Sequence, residues 1–167
     1  MNGIRNDHYS LAQIVLHWGI VVLVIVQLIS HEGMQHAFDR LKDDPTGTFD
    51  WSGMALVHAI SGATVLVLMA VRILLRIRLG APALPSDMPR WQQLAAHVSH
   101  FALYTLLVVL PLTGSAAVLF GSETAGGLHG LLVTLLWIVV GVHVAGALYH
   151  AFVRHDGVIW RILVPRP

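Results

Sequence analysis

Histidine is the residue type in this sequence that is best suited to chemistry. The chain of 167 residues has eleven histidines and no cysteine, which excludes disulfides, iron–sulfur clusters and thiolate metal sites and makes imidazole the main candidate ligand. Seven histidines lie within long apolar runs or at their ends: His17, His58, His97, His100, His129, His143 and His150. Imidazole can bind a metal, transfer a proton near neutral pH or form a hydrogen bond to a neighbouring helix. A single histidine does not distinguish these roles. The arrangement of all seven histidines is therefore needed to decide between them.

The segment LHGLLVTLLWIVVGVH has a histidine near its start, His129, and another at its end, His143, 14 positions later with no charge between them. In an α-helix this separation is about four turns, so both imidazoles lie on nearly the same face and about 21 Å apart along the axis. One helix can therefore contribute a ligand to each of two sites.

Four long apolar runs must position these histidines. They cover approximately residues 11–30, 53–75, 94–119 and 127–153, in a chain that is 56% hydrophobic and 11% charged. A helix needs about 20 residues to cross the hydrocarbon core of a bilayer, where only helices or closed barrels satisfy their backbone hydrogen bonds. The sequence therefore predicts an all-α integral membrane protein, a four-helix transmembrane bundle in which residues 1–167 form one domain. Pro111, within the third run, is expected to kink its helix.

The charged residues between the runs and at their ends predict the orientation. One side carries two basic residues, Arg40 and Lys42. The same side carries six acidic residues: Glu32, Asp39, Asp43, Asp44, Asp50 and Glu123. The other side carries eight basic residues: Arg5, Arg72, Arg76, Arg78, Arg90, Arg154, Arg161 and Arg166. By the positive-inside rule both termini are cytoplasmic, N-in/C-in. We expect a multi-pass protein of the bacterial inner (plasma) membrane, surrounded by lipid. A net charge of +1 gives no reason to expect a nucleic-acid partner.

The depths of four histidines match in pairs. His17 lies early in a helix that runs outward, and His143 lies about ten residues before the end of a helix that runs inward, so both reach one level on the cytoplasmic side. His58 and His129 lie early in their helices and reach one level on the outer side. Two imidazoles per level, without Cys, Asp or Glu, suit haem iron with two axial ligands better than zinc or copper.

Two such haems would form a transmembrane path for single electrons. Because protein ligands fill both axial positions, the iron has no open site for oxygen or substrate, and its chemistry is expected to be outer-sphere. The alternative, a membrane scaffold with incidental histidines, requires four independent placements at two matching depths, and we weight it lower.

Four segments together resemble the bacterial cytochrome b561 family, whose relatives include the cytochrome b subunits of respiratory hydrogenases and formate dehydrogenases. They are LAQIVLHW, ALVHAISGATVLVLMAVRILLRIR, LAAHVSHFALYTLLVVLPLTG and LHGLLVTLLWIVVGVHVAGALYH, and the resemblance runs from about Tyr9 to Pro165. It implies two haems b, with His58 and His129 as axial ligands of the outer haem and His17 and His143 as those of the inner haem.

The resemblance also covers His97, His100 and His150, and implies that they are contacts of a quinone or of haem propionates. For His97 and His100 a hydrogen bond between helices is an equal alternative. His150 follows His143 by seven residues and so lies on the same helix face, where it could exchange a proton with a quinone. Arg72 and Arg76 are candidate propionate contacts, but their place at a helix end is equally explained by topology and anionic lipid.

The implied function is that of a dihaem membrane oxidoreductase that moves electrons between a periplasmic-side donor and the ubiquinone pool. Family members that use superoxide as the donor make it the leading specific candidate. A small anionic donor favours a positive entrance, whereas the connection after the first run has Arg40 and Lys42 among five acidic residues. The alternative is a non-catalytic electron-transfer subunit that links quinol to a periplasmic redox protein, for which an acidic surface would suit a basic partner.

Overall fold

The computed structural model describes residues 8–44 and 46–165. Its elements are α1 (Leu11–Asp43), α2 (Gly53–Leu79), α3 (Arg90–Leu119), α4 (Glu123–Tyr149), a π-helical turn (His150–Arg154) and a short α5 (Trp160–Leu163). Over the described residues all regular secondary structure is helical, and there are no strands. Arg5 and Arg166, which contributed to the orientation prediction, lie outside the described residues.

The four long helices confirm the predicted transmembrane bundle. Each is long enough and apolar enough to cross a membrane. Consecutive helices are antiparallel, so α1 and α3 begin at the end of the bundle where α2 and α4 finish. We call this the basic end, because it carries Arg76, Arg78, Arg90 and Arg154, and we call the opposite end the acidic end. α3 remains helical on both sides of Pro111.

The predicted end of the first helix, at residue 30, was wrong. α1 continues to Asp43. The apolar run marks only the part of the helix that would lie inside the bilayer, and a helix can continue into water beyond it. The segment HEGMQHAFDRLKD is mostly good helix formers, and Arg40 and Lys42 in the last turn interact favourably with the helix dipole. Ala37 is buried, which anchors the extension. The residues predicted as an acidic loop are therefore largely a helix that projects beyond the apolar span.

The other helices also differ from the apolar runs at their polar ends. α2 reaches Leu79 and α3 begins at Arg90. α4 begins at Glu123, where the side chain of Ser122 accepts a hydrogen bond from the Ala125 N–H. The added ends contain charged or polar residues such as Arg76, Arg90 and Glu123, which lower the local hydropathy, so the apolar runs stop short of the helix ends. At α4 the cap of Ser122 marks the true start.

The helices pack as two close pairs, α1 with α2 and α3 with α4, and α2 also contacts α3. Gly33 lies so close to Met54 and Ala55 that a side chain there would clash, and this lets α1 and α2 cross tightly. One buried cluster joins Ile20 to Val65 and Met69 of α2. A second joins Leu106, Leu110 and Leu136 of α3 and α4.

Candidate functional site

At the basic end, His17 of α1 faces His143 of α4. Their ring centres are 6.5 Å apart and their planes are inclined by 64°. His100 of α3 joins them, with its ring centre 5.1 Å from that of His143. The histidines therefore bridge the two close helix pairs.

At the acidic end, His58 of α2 faces His129 of α4. Their ring centres are also 6.5 Å apart, with an interplanar angle of 72°. The structure thus brings together both pairs that the depth argument predicted, and α4 contributes one histidine to each.

The hydrogen bonds of His129 select its tautomer. Its Nδ1 lies 3.0 Å from the carbonyl oxygen of Leu110 and 3.2 Å from Oγ1 of Thr113. A carbonyl oxygen can only accept, so Nδ1 carries the hydrogen and Nε2 keeps its lone pair. This is the second-shell arrangement that orients a metal-binding histidine.

His58 is held in a similar way from α1. Its Nδ1 lies 3.2 Å from Oγ of Ser30, whose hydroxyl donates to the carbonyl of Val26 at 2.7 Å and leaves the oxygen free to accept from the ring. Gln27 donates to the carbonyl of His58 at 2.7 Å and to Oγ of Ser61. With Leu110 and Thr113 of α3, all four long helices take part in fixing the acidic-end pair.

The dimensions and donor set of both pairs fit haem. A metal–imidazole bond is about 2 Å long, so two such bonds on opposite sides of one metal, plus two ring radii, give about 6 Å between ring centres. The observed 6.5 Å agrees for both pairs. Within residues 8–44 and 46–165 no group of three or more His, Asp or Glu is arranged to hold a metal ion. Two facing imidazoles are the donor set of a six-coordinate haem, in which the macrocycle supplies the other ligands.

Of the remaining candidate residues, one lies near the basic-end pair and others are exposed. Arg72 is near the basic-end pair: its Nε donates to the hydroxyl of Tyr104 at 3.1 Å, and its NH1 group donates to the carbonyl of Gln13 at 3.2 Å. Arg76 is exposed. His97 is exposed, and its Nδ1 donates to the carbonyl of Gln93 one turn earlier, without a ring contact to either pair among the described side chains.

His150 lies two turns beyond His143, in the π-helical turn. Its Nδ1 is 2.6 Å from Oδ2 of Asp156, and its ring edge contacts the ring of Tyr149. Nothing in the sequence spacing pairs Asp156, Ser30 or Gln27 with a histidine, so these contacts could not be predicted from the sequence.

At the acidic end, the two basic residues are both in ion pairs. Arg40 contacts Asp50 at 2.8 Å and Lys42 contacts Asp39 at 3.6 Å. Hydrogen bonds from Ser52 and the charge of Arg40 hold the pKa of Asp50 below its usual value. This carboxylate is therefore ionised near neutral pH and offsets the charge of Arg40.

Comparison with known proteins is consistent with this geometry. The family model described as prokaryotic cytochrome b561 matches residues 8–164. The chain belongs to the prokaryotic cytochrome b561 family. Members of this family are b-type cytochromes of the membrane, so the protein binds haem b and takes part in electron transfer.

Three relatives cover nearly the whole chain. A protein named cytochrome b562 from Cereibacter sphaeroides is 33% identical, over 97% of this chain and 99% of its own length. A probable superoxide oxidase, CybB, from Yersinia pestis is 30% identical, over 95% and 97%. Cytochrome b561 homolog 1 from Escherichia coli is 23% identical, over 96% and 99%.

Proposed function

We propose that the chain holds two haems b and moves single electrons between the two ends of the bundle. His17 and His143 would hold one haem, and His58 and His129 the other. The observation that carries this proposal is the equal ring-centre separation of 6.5 Å in the two pairs. Haem bound in this way supplies a one-electron carrier without an open coordination position.

The side chains of the bundle have defined tasks in this function. Leu110, Thr113 and Ser30 accept the Nδ1 hydrogens of the acidic-end histidines, so that each ring keeps Nε2 toward the metal. α4 sets the distance between the two levels, since the 14 positions from His129 to His143 span about 21 Å. The apolar residues between them keep water and ions out of the path.

We infer that the basic end faces the cytoplasm, with both termini inside, in the bacterial inner membrane. Among the described residues, Arg76, Arg78, Arg90 and Arg154 lie at this end with two acidic residues, Asp87 and Asp156. Six acidic residues lie at the other end with the basic residues Arg40 and Lys42. Translocation disfavours Lys and Arg in short connections, so the distribution supports this orientation.

Ubiquinone is the proposed redox partner at the basic end, with His150 as its proton donor and His100 as a further candidate contact. Reduction of a quinone to a quinol consumes two electrons and two protons. Imidazole is suited to supply those protons because it exchanges them near neutral pH. His150, two turns beyond His143 on the same helix, is close to the level at which electrons would leave.

Superoxide is the proposed donor at the acidic end. The support is the 30% identity to a relative named probable superoxide oxidase. Two superoxide ions would release two electrons and form two molecules of dioxygen, and the electrons with two cytoplasmic protons would convert ubiquinone to ubiquinol. This balance needs no bond between superoxide and a haem iron. It therefore agrees with the proposal that two histidines bind each haem.

A second candidate is a relay to a soluble periplasmic redox protein. It is favoured by the extension of α1, where Arg40 and Lys42 are already paired with Asp50 and Asp39. Other acids there, such as Glu32 and Asp43, form no ion pair within the described part of the chain, and they would attract a basic partner and repel a small anion.

One experiment distinguishes the two candidates. Oxidised, purified protein is mixed with an enzymatic superoxide source, and haem reduction is followed optically with and without a short-chain ubiquinone. Rapid reduction that superoxide dismutase abolishes, and ubiquinol formation when quinone is present, would support the superoxide route. No reduction above the level seen with superoxide dismutase would exclude it and leave the relay.

A further inference from the structure

The chain turns back after the π-helical turn that begins at His150, and the turn brings a carboxylate to that residue. His150 and Asp156 are six positions apart, yet His150 Nδ1 lies 2.6 Å from Asp156 Oδ2. In a continued α-helix, residues six apart lie about 9 Å apart along the axis and on different faces. A regular end of α4 could not make this contact.

The turn that makes it has an unusual backbone. α4 widens into a π-helical turn over His150–Arg154, and His155 then adopts a left-handed conformation with φ 53°. A non-glycine residue in this region is uncommon, and π-helical turns within α-helices frequently occur at functional sites. Gly157, with φ 74°, completes the reversal.

Asp156 is held firmly in this position. Its side chain is 9% exposed, and it accepts hydrogen bonds from Nε of Arg154 at 3.3 Å and from the N–H of Val158 at 3.3 Å. Burial by itself would raise the pKa of Asp156, but the hydrogen bonds from His150, Val158 and Arg154 lower it on balance. The carboxylate is therefore ionised at cytoplasmic pH. Arg154 also pairs with Asp87 of the α2–α3 connection, but the side chain of Asp87 is 71% exposed, and an ion pair so open to solvent contributes little to the position of the turn.

We propose that Asp156 is a positioning residue that orients His150 for proton transfer to the quinone. The proposal rests on the function proposed above, in which the quinone is reduced at the basic end. Asp156 accepts the Nδ1 hydrogen of His150 and thereby directs Nε2 away from the carboxylate, toward the substrate.

The proton balance follows from this orientation. For each electron that reaches the quinone, Nε2–H of a doubly protonated His150 is transferred to a quinone oxygen. The ring becomes neutral, and its remaining hydrogen stays on Nδ1, where it is donated in a hydrogen bond to Asp156. Nε2 then takes up a proton from cytoplasmic water. Two such transfers and two electrons give the quinol.

The test measures re-oxidation of chemically reduced protein, so that it does not depend on the outer donor. Haem-loaded protein is reduced with dithionite without oxygen and mixed with a short-chain ubiquinone. The same samples are mixed with ferricyanide, which takes an electron without a proton. Three variants test the contact: Asp156→Asn, His150→Gln and the double variant. Asp156→Asn keeps a hydrogen-bond acceptor but loses the negative charge. Asp87→Asn, on the far side of Arg154, is the matched control.

We expect Asp156→Asn to slow re-oxidation by quinone about tenfold or more, which is part of the roughly 10²–10⁴-fold that a positioned proton-transfer group typically contributes. Re-oxidation by ferricyanide and the haem content should stay unchanged, and Asp87→Asn should behave as the unmodified protein. His150→Gln should be at least as slow as Asp156→Asn, and the double variant no slower than His150→Gln.

Three results with Asp156→Asn would overturn the assignment of Asp156: a normal quinone rate, equal slowing with quinone and ferricyanide, or loss of haem, which would assign Asp156 to the fold. A normal quinone rate in His150→Gln would overturn it as well, whether or not Asp156→Asn folds. Failure of quinone to oxidise the unmodified protein is a different result, because it would refute the proposed function itself.

Discussion

The ring centres of His17 and His143 are 6.5 Å apart, and those of His58 and His129, at the other end of the bundle, have the same separation. In each pair the two rings belong to different close helix pairs. The same spacing at two levels is readily explained if each pair flanks one metal.

The hydroxyl of Ser30 is expected to tune the acidic-end haem. It accepts from Nδ1 of His58, and this bond increases electron donation by the ring and favours the oxidised metal. Ser30→Ala removes a bond worth about 1 kcal/mol, which for one electron corresponds to about 40 mV. In a potentiometric titration, the midpoint potential of this haem should rise by up to that amount, because only the part of the bond energy that differs between the oxidised and reduced metal changes the potential. The potential of the other haem should be unchanged.

Ser99→Ala is a suitable control for Ser30→Ala, because the Ser99 hydroxyl donates to the backbone of its own helix, at Ala96. Both midpoint potentials should be unaffected in this control. An unchanged titration in Ser30→Ala would show that the contact with His58 does not tune a metal.

Gly114 is expected to be necessary for the orientation of His129. A Cβ at this position would lie 3.1 Å from Cε1 and 3.2 Å from Nδ1 of the His129 ring. The bond from Nδ1 to Leu110 restricts the ring from moving away. Gly114→Ala should therefore weaken haem binding at the acidic end about tenfold, although alanine is the better helix former. Haem retention during dilution or detergent exchange measures the effect.

Gly126→Ala is the matched control for Gly114→Ala, because its new Cβ would make only ordinary contact with Phe38, at 3.4 Å. Retention of both haems in Gly114→Ala would mean that His129 does not need its present orientation.

The acids paired with Arg40 and Lys42 are expected to control the donor. Asp39→Asn together with Asp50→Asn removes two negative charges and releases both cations. If superoxide is the donor, its second-order rate of haem reduction at low ionic strength should rise roughly two- to tenfold, and the increase should disappear at high salt. If the donor is a basic protein, its rate should fall instead. Asp87→Asn, at the other end of the bundle, should change neither rate.

The sequence was sufficient to predict the four helices and the two pairings, because helix geometry converts sequence spacing into depth. His129 and His143 could be placed at two levels from their 14-position spacing alone. The extension of α1 to Asp43 could not be predicted from hydropathy, since it is polar and its anchor, Ala37, is identified only by packing.

The contact of His150 with Asp156 was unpredictable for a different reason. It depends on a π-helical turn and on the left-handed conformation of His155, and neither has a clear signal in HAFVRHDG. Likewise, Ser30 approaches His58 only because α1 and α2 cross closely. Side-chain contacts of this kind depend on the relative placement of two elements, which sequence periodicity does not define.

The ratio of haem to protein in histidine variants tests the proposed ligands most directly. We predict two low-spin haems b per chain in the unmodified protein, and one in either His17→Ala or His129→Ala, with the remaining haem at the other end. His97→Ala, in which the replaced ring contacts the backbone of its own helix, should keep both. A single haem in the unmodified protein, or two low-spin haems retained in either ligand variant, would contradict the assignment of the two pairs.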